Sequence, residues 1–238
     1  MSRAAVITGA SSGIGLSIAK KLVELGYKVF GFGRDFEKAK SDEIMGNDLF
    51  VPIEEDILNT DKMLKHLNII RKEYEVYILV NNAGVGYYGL HEELNANKIK
   101  QLVRTNLEAP MIITNYLLRE LKKNNGYVFN ISSVTATKTN PHGCAYGATK
   151  AGLFNFSESL FEEVRKYGVK VISILPDMTS TNLYRNADFT EDEEEMARLL
   201  PSEVADAVAY VLEQREGVVV TELTIRPQLH RIKRRKKM

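Results

Sequence analysis

Cysteine occurs once in this chain of 238 residues, at Cys144. A single thiol closes no internal disulfide and builds no cysteine-rich zinc site. His66, His91 and His230 show no metal-ligand spacing, and His142 reads as a solvated loop residue, so no metal is expected. Charge imbalance is missing as well: the formal net charge is +1. That removes the overall electrostatic case for nucleic acid or an acidic partner. No apolar run approaches the roughly 20 residues that span a bilayer. The N-terminus enters a strand-like run almost at once, with neither the apolar region nor the cleavage site of a signal peptide. A reducing cytoplasm is the expected location. Internal repeats and linkers rich in Pro, Gly or Ser are absent too, so one domain is expected.

What is there is regular alternation. Strand-like runs at 4–8, 28–32, 48–52, 76–80, 127–131, 169–175 and 217–225 are separated by helical patterns. The helices read as 14–25, stopped by Gly26; a second capped by Asn59, Thr60 or Asp61 and running to 74; 97–123, with Pro110 inside it as an expected kink; 145–167, ended by Gly168; and 202–214, with Ser202 as N-cap. Strands joined by helices of this length predict an α/β fold: a doubly wound parallel sheet of about seven strands, with helices on both faces. Residues 1–226 form the expected domain. Residues 178–200 break the alternation and carry the acidic run 191–195, read as a solvated helix face. Residues 227–238 form a basic tail, read as disordered and solubilising.

The first strand is followed by Thr8-Gly-Ala-Ser-Ser-Gly-Ile-Gly15, and then by the first helix. Glycines at a strand-to-helix turn permit a tight bend and close backbone approach to a ligand. The helix dipole and its first amides suit a pyrophosphate. Gly9, Ser11, Ser12, Gly13, Ile14 and Gly15 are therefore candidate cofactor contacts. A dinucleotide also needs a reader for its adenine ribose at the end of the second strand. The chain there is Gly31-Phe-Gly-Arg-Asp35, with no acid at the strand end. Gly33 leaves room, and Arg34 offers a fork of donors for a 2′-phosphate. NADP(H) is favoured, with NAD(H) possible, since Asp35 can pair with Arg34 or turn in to the ribose. Asp56, beside Ile57, is the candidate partner of the adenine amino group.

Tyr146 and Lys150 lie one helical turn apart on one face. A cation there can stabilise a phenolate. Bringing a phenol from its ordinary pKa of about 10 to near neutrality takes about 4 kcal/mol of favourable interaction with the phenolate. With a hydroxyl from the preceding loop, such a pair forms an acid/base site.

Together with Asn81-Asn-Ala-Gly84, these motifs resemble the short-chain dehydrogenase/reductase family, in order and over the whole chain to about residue 225. Ser133 lies thirteen residues before Tyr146, and Lys150 four after it, which are that family's usual spacings. The resemblance implies a Rossmann-type fold and an oxidoreductase reducing a ketone or aldehyde, or oxidising the matching alcohol or hydroxy acid. It implies a tetrad of Asn106, Ser133, Tyr146 and Lys150. Tyr146 would move the proton, Ser133 would hold the substrate oxygen, Lys150 would hold the nicotinamide ribose, and Asn106 would anchor a water. Asn82, Ala83 and Gly84 would pass close to the cofactor, as would Pro176, Thr179 and Thr181. Residues 179–200 match the family's substrate lid. A homotetramer or homodimer is implied as well, pairing the helices read as 97–123 and 145–167.

Asp177 departs from the family's usual Pro-Gly after the sixth strand, and with Ser133, Tyr146 and Tyr184 it is a candidate substrate contact. Tyr87 and Tyr88 either line the substrate mouth or pack in their loop. Cys144 reads as a small packing residue. The alternative functions are a β-ketoacyl carrier protein reductase-like enzyme, although the Val-Asp-Gly-Gly ending common in such enzymes is missing, and a non-catalytic dinucleotide-binding regulatory protein.

Overall fold

The computed structural model describes residues 3–234. Seven parallel strands form one sheet in the order β3-β2-β1-β4-β5-β6-β8. They are β1 (Arg3–Thr8), β2 (Lys28–Gly33), β3 (Phe50–Glu54), β4 (Glu75–Asn81), β5 (Tyr127–Ile131), β6 (Lys170–Pro176) and β8 (Glu222–Ile225). The helices are α1 (Gly13–Glu24), α2 (Thr60–Glu73), α3 (Ala96–Val103), α4 (Ala109–Lys123), α5 (Cys144–Val164) and α6 (Pro201–Leu212). The middle of each central strand is mostly apolar because helices cover both faces. On one face Ile18 and Leu22 of α1 and Val204 and Val208 of α6 pack on Ile7, Ile78 and Phe129. On the other, Leu67 of α2, Leu117 of α4 and Leu160 of α5 pack on Val6, Leu79 and Val128. Among the described residues no helix is long and apolar enough to cross a membrane.

Several expected boundaries move. The third strand begins at Phe50 rather than at residue 48. Phe50 is buried against the Phe36 ring, 6.2 Å between centroids, and this sets the strand's frame. Pro52 is tolerated inside it because β3 is the sheet edge. The last strand shortens to β8. Of the three cap candidates for α2, Asn59 takes the role. Ser202 does not cap α6: Leu200 is the N-cap, Pro201 follows, and the Glu203 carboxylate accepts from the Leu200 amide at 2.8 Å.

Pro110 does not kink one long helix. Instead α3 ends at Val103, a π-helical turn spans Arg104–Glu108, and α4 restarts with Pro110 in its first turn. Proline has no N–H to offer the Asn106 carbonyl four residues earlier, and the wider turn absorbs that gap. The same turn carries Asn106 into the protein interior.

The segment after β6 is neither a helix nor loose. Thr179 bridges to Leu199, Asn182–Asn186 forms a 3-10 turn, and β7 (Phe189–Glu191) follows. The acidic run thus passes from the end of β7 through a loop to a 3-10 turn at Glu195–Ala197, and is not the face of an α-helix. The basic tail is not disordered where it is described: β9 (Ile232–Arg234) pairs antiparallel with β7. Lys233 pairs with Glu193 at 2.6 Å and Arg231 with Glu194, so the acidic run and the tail neutralise each other. The remainder of the tail, residues 235–238, lies outside the described residues.

Candidate active site

A cleft of about 230 Å³ opens along the carboxyl ends of β1, β2, β4, β5 and β6. Open parallel sheets place their ligand sites there, because the chain turns away to opposite faces and leaves a crevice.

The glycine-rich turn forms one wall. Gly9 and Gly13 have φ of 68° and 55°, conformations that side chains disfavour. Gly15 serves packing: a Cβ there would lie 2.2 Å from the Gly9 carbonyl oxygen, and Gly15 does not line the cleft. Gly9, Ser11, Ser12, Gly13 and Ile14 do line it. Ser12 is the N-cap of α1 but makes no side-chain cap bond, and no acid sits in the first turn. The helix therefore presents its positive end and unneutralised amides to the cleft.

Thr8 and Asn82 stitch this turn to the Asn-Asn-Ala-Gly loop. The Asn82 side-chain amide donates to the carbonyls of Thr8 and Gly9, each at 3.0 Å. The Thr8 hydroxyl accepts from the amides of Asn82 and Ala83. Ala83 and Gly84 follow along the cleft. At the far end lie Arg34, exposed, with Asp56 and Ile57. Gly33 is small for a local reason, since a Cβ there would lie 2.8 Å from that of Ser11. Asp35 is exposed and does not line the cleft. Glu55 does, a contact that sequence reading missed.

At the near end β5 delivers Ser133, and α5 delivers Tyr146 and Lys150, all buried and all lining the cleft. The Ser133 oxygen accepts from the Thr135 amide at 3.2 Å and from its hydroxyl at 3.0 Å. The Lys150 ammonium donates to the Ile131 carbonyl at 2.7 Å. Burial acts on both ionisable groups by removing water from their charged forms. It pushes the Tyr146 phenol up to about 12, against smaller opposing effects of the neighbouring Ser133 and Tyr88 hydroxyls. It pushes the Lys150 ammonium down to about 8. The phenol lowered by Lys150 that the spacing predicts is not what this geometry holds: desolvation is the largest effect on Tyr146, and the ammonium stands 5.9 Å from the ring centroid.

Asn106 is fully buried and does not line the cleft. Its side chain is committed to Val85, giving a hydrogen bond to the carbonyl and taking one from the amide, both at 2.9 Å. It also donates to the Thr149 hydroxyl at 3.2 Å.

The lid closes the cleft from above. Pro176 ends β6, and the Asp177 carboxylate accepts from the following Met178 amide at 2.9 Å. Thr179 is buried, its hydroxyl giving a bond to the Asp177 carbonyl. The Thr181 methyl lies 3.1 Å from where a Gly13 Cβ would be, so the lid sits directly over the phosphate turn. Tyr184 is buried, and desolvation raises its pKa. Of the two tyrosines after Gly84, Tyr87 turns aside to give a 2.6 Å bond to Gln101, while the Tyr88 ring packs against that of Tyr146, 5.4 Å between centroids. Cys144 is exposed rather than packed.

A family model described as short chain dehydrogenase matches residues 3–192. An uncharacterized oxidoreductase of Staphylococcus epidermidis is 33% identical over 229 residues, 94% of this chain and 97% of the relative. A probable NADP-dependent dehydrogenase of Haemophilus influenzae is 31% identical over 235 residues, 94% of this chain and 92% of the relative. Among solved structures, a metagenomic short-chain oxidoreductase in complex with NADP superposes with a TM-score of 0.81 at 28% identity, covering 95% of this chain and 98% of that one.

Proposed function

The chain belongs to the short-chain dehydrogenase family of oxidoreductases acting on CH–OH groups, and we propose that it is an NADP(H)-dependent enzyme interconverting a small ketone or aldehyde and its alcohol, with Tyr146 as the acid/base group. The observation that carries this reading is the single cleft with the glycine turn and Arg34 along it and Ser133, Tyr146 and Lys150 at its near end.

The residues fit the cofactor. The bare α1 terminus suits a pyrophosphate, and the space above Gly13 is one that a side chain would narrow. Arg34 would pair with the 2′-phosphate, in line with the name of the Haemophilus influenzae relative. When bound, NADP(H) supplies or takes up the hydride. Ser133 would give its proton to a hydrogen bond with the substrate oxygen, steadying the charge that develops there. In reduction Tyr146 gives its proton to that oxygen, and in oxidation its phenolate takes one. Lys150 would hold the nicotinamide ribose. A water anchored by Asn106 would link Lys150 to solvent and return protons. Asp177 and Tyr184 would bound the substrate end.

Pairing of two copies through α4 and α5 belongs to the same proposal, and sedimentation of the purified protein tests it. The activity is tested by following the absorbance of NADPH and NADH against a panel of ketones, aldehydes, keto acids and a β-ketoacyl thioester. Consumption of NADPH that Tyr146→Phe abolishes without loss of NADPH binding is the expected result. NADPH binding with no turnover on the whole panel would move the reading to a non-catalytic nucleotide-binding protein.

A further inference from the structure

We propose that Ser132 is a positioning residue for Lys150: its hydroxyl fixes the main chain of α5 at Lys150 to the same strand end that holds the lysine's ammonium. The inference rests on Lys150 being part of the reacting site.

Consecutive residues at the end of β5 grip Lys150 at both ends. The Ile131 carbonyl takes the ammonium at 2.7 Å, and the Ser132 hydroxyl donates to the Lys150 carbonyl at 3.0 Å. Ser132 and Lys150 are each 4% exposed, so water does not compete for the second bond. Ser132 is itself held, since its amide donates to the Ile174 carbonyl of β6 at 2.8 Å. It lines the cleft, yet its hydroxyl is given to α5. A serine hydroxyl has one proton to donate, and this bond uses it.

The lysine stem is long and flexible, so a single anchor leaves the ammonium room to swing. Two anchors on adjacent strand residues close a ring that runs from the strand end through the hydroxyl, the helix carbonyl, the stem and the ammonium, and back to the strand. The distance between α5 and β5 at Lys150 then sets where the ammonium stands. It stands 3.8 Å from where a Cβ on Gly84 would lie, beside the loop after β4.

The Lys150 carbonyl does not depend on this bond. Lys150 lies inside α5, where its carbonyl takes the Phe154 amide four residues on. The Ser132 bond is an addition rather than the rescue of a stranded group, and alanine in its place leaves the helix ladder whole.

Ser132→Ala removes the hydroxyl, and Ser132→Cys puts a weak donor in its space. Each is made with Lys150 present and again together with Lys150→Met. The cycle is read in the NADPH Kd and in kcat/KM for the ketone that turns over fastest. With Lys150 present, each should lower kcat/KM about tenfold, as for loss of one hydrogen bond, and raise the NADPH Kd about threefold. Combined with Lys150→Met, each should change either constant by less than about twofold, because no ammonium remains to be placed. In protein carrying ¹³Cε-labelled lysine, the Lys150 signal, assigned by its loss in Lys150→Met, should shift in both single variants. This readout needs no turnover. Equal losses with and without Lys150 would overturn the proposal, since Ser132 would then serve the fold or the cofactor directly. Unchanged constants with Lys150 present would overturn it too. So would wild-type behaviour of Ser132→Cys, which would make volume the cause and not the hydrogen bond. Full turnover by Lys150→Met, with a Lys150 signal that still shifts in Ser132→Ala, would leave the clasp standing and remove Lys150 from the reaction instead.

Discussion

The Lys150 ammonium gives its 2.7 Å hydrogen bond to the carbonyl of Ile131, not to the Tyr146 phenol one turn before it. Lys150 is thereby fixed to the end of β5 and held at the floor of the cleft. Its position costs stability, because burial lowers its pKa from 10.5 to about 8. Below about pH 8 the folded protein carries a buried charge that the unfolded chain hydrates freely. Between pH 8 and 10.5 the unfolded chain keeps a proton that folded Lys150 has shed, so stability rises with pH across that window. Relative to Lys150→Met, the wild-type protein should gain roughly 3 kcal/mol over that range. Urea unfolding of both proteins at pH 7 and 10 measures the difference, and a gap independent of pH would contradict it. The same variant should lose at least about a hundredfold in kcat/KM.

Asn106 holds both backbone groups of Val85, and so carries the loop that leads to Tyr88. Asn106→Ala would strand a buried amide and a buried carbonyl, each costing about 1–3 kcal/mol. We expect a lower urea midpoint at unchanged slope, and a larger loss in kcat than in NADPH affinity, since the clamp lies at the near end of the cleft. Asn106→Asp keeps an acceptor for the Val85 amide but loses the donor to its carbonyl, and should fall between wild type and alanine.

The alternation of apolar runs and helical patterns made the parallel sheet legible, because helices on both faces leave the central strands few polar positions. The glycine turn was legible for a related reason: backbone geometry at Gly9 and Gly13 admits few other residues. Gly15 shows the limit of that reasoning. It looks identical in sequence, yet it answers to the Gly9 carbonyl rather than to a ligand. Pro110 signalled a break, but a π-helical turn and a kink share the same missing N–H, and only tertiary packing chose between them. Tyr88 could not be told from its neighbour Tyr87 by type or spacing. Gly86, the residue that seats its ring, was the one available signal. The tail was misread because its partner, the acidic run, lies some 40 positions away, and net charge near zero conceals a pairing between two charged segments.

Arg34 supplies a test of cofactor choice. It is exposed at the end of β2 and lines the cleft, whereas Asp35 beside it is exposed and does not. Arg34→Ala should weaken NADPH binding at least about tenfold, the worth of a charge-assisted hydrogen bond, and change NADH binding by less than about twofold. Quenching of protein tyrosine fluorescence by each nucleotide gives both constants. Equal losses would mean that the arginine does not read the 2′-phosphate.

The C-terminal strand makes the lid a two-part structure. β9 pairs with β7, and β7 begins with Phe189, the residue seated edge-on against Tyr88. The Leu229 amide adds a 2.8 Å bond to the Met196 carbonyl. Removing residues 231–238 takes away every strand partner of β7 and both ion pairs, and leaves the sheet and the cleft floor untouched. The truncated protein should therefore fold and bind NADPH normally, yet show a raised KM for the carbonyl substrate, and cleavage by protease within residues 178–200 should quicken. Charge reversal separates the strand from its charges. Glu193→Lys and Lys233→Glu should each loosen the lid, and the double reversal should restore it, because exposed ion pairs depend on sign and not on which side bears it. Salt should reproduce the single variants in weaker form, since both pairs lie in solvent where screening acts. If truncation leaves the substrate KM and the protease pattern unchanged, the tail is an ornament of the lid and not part of it.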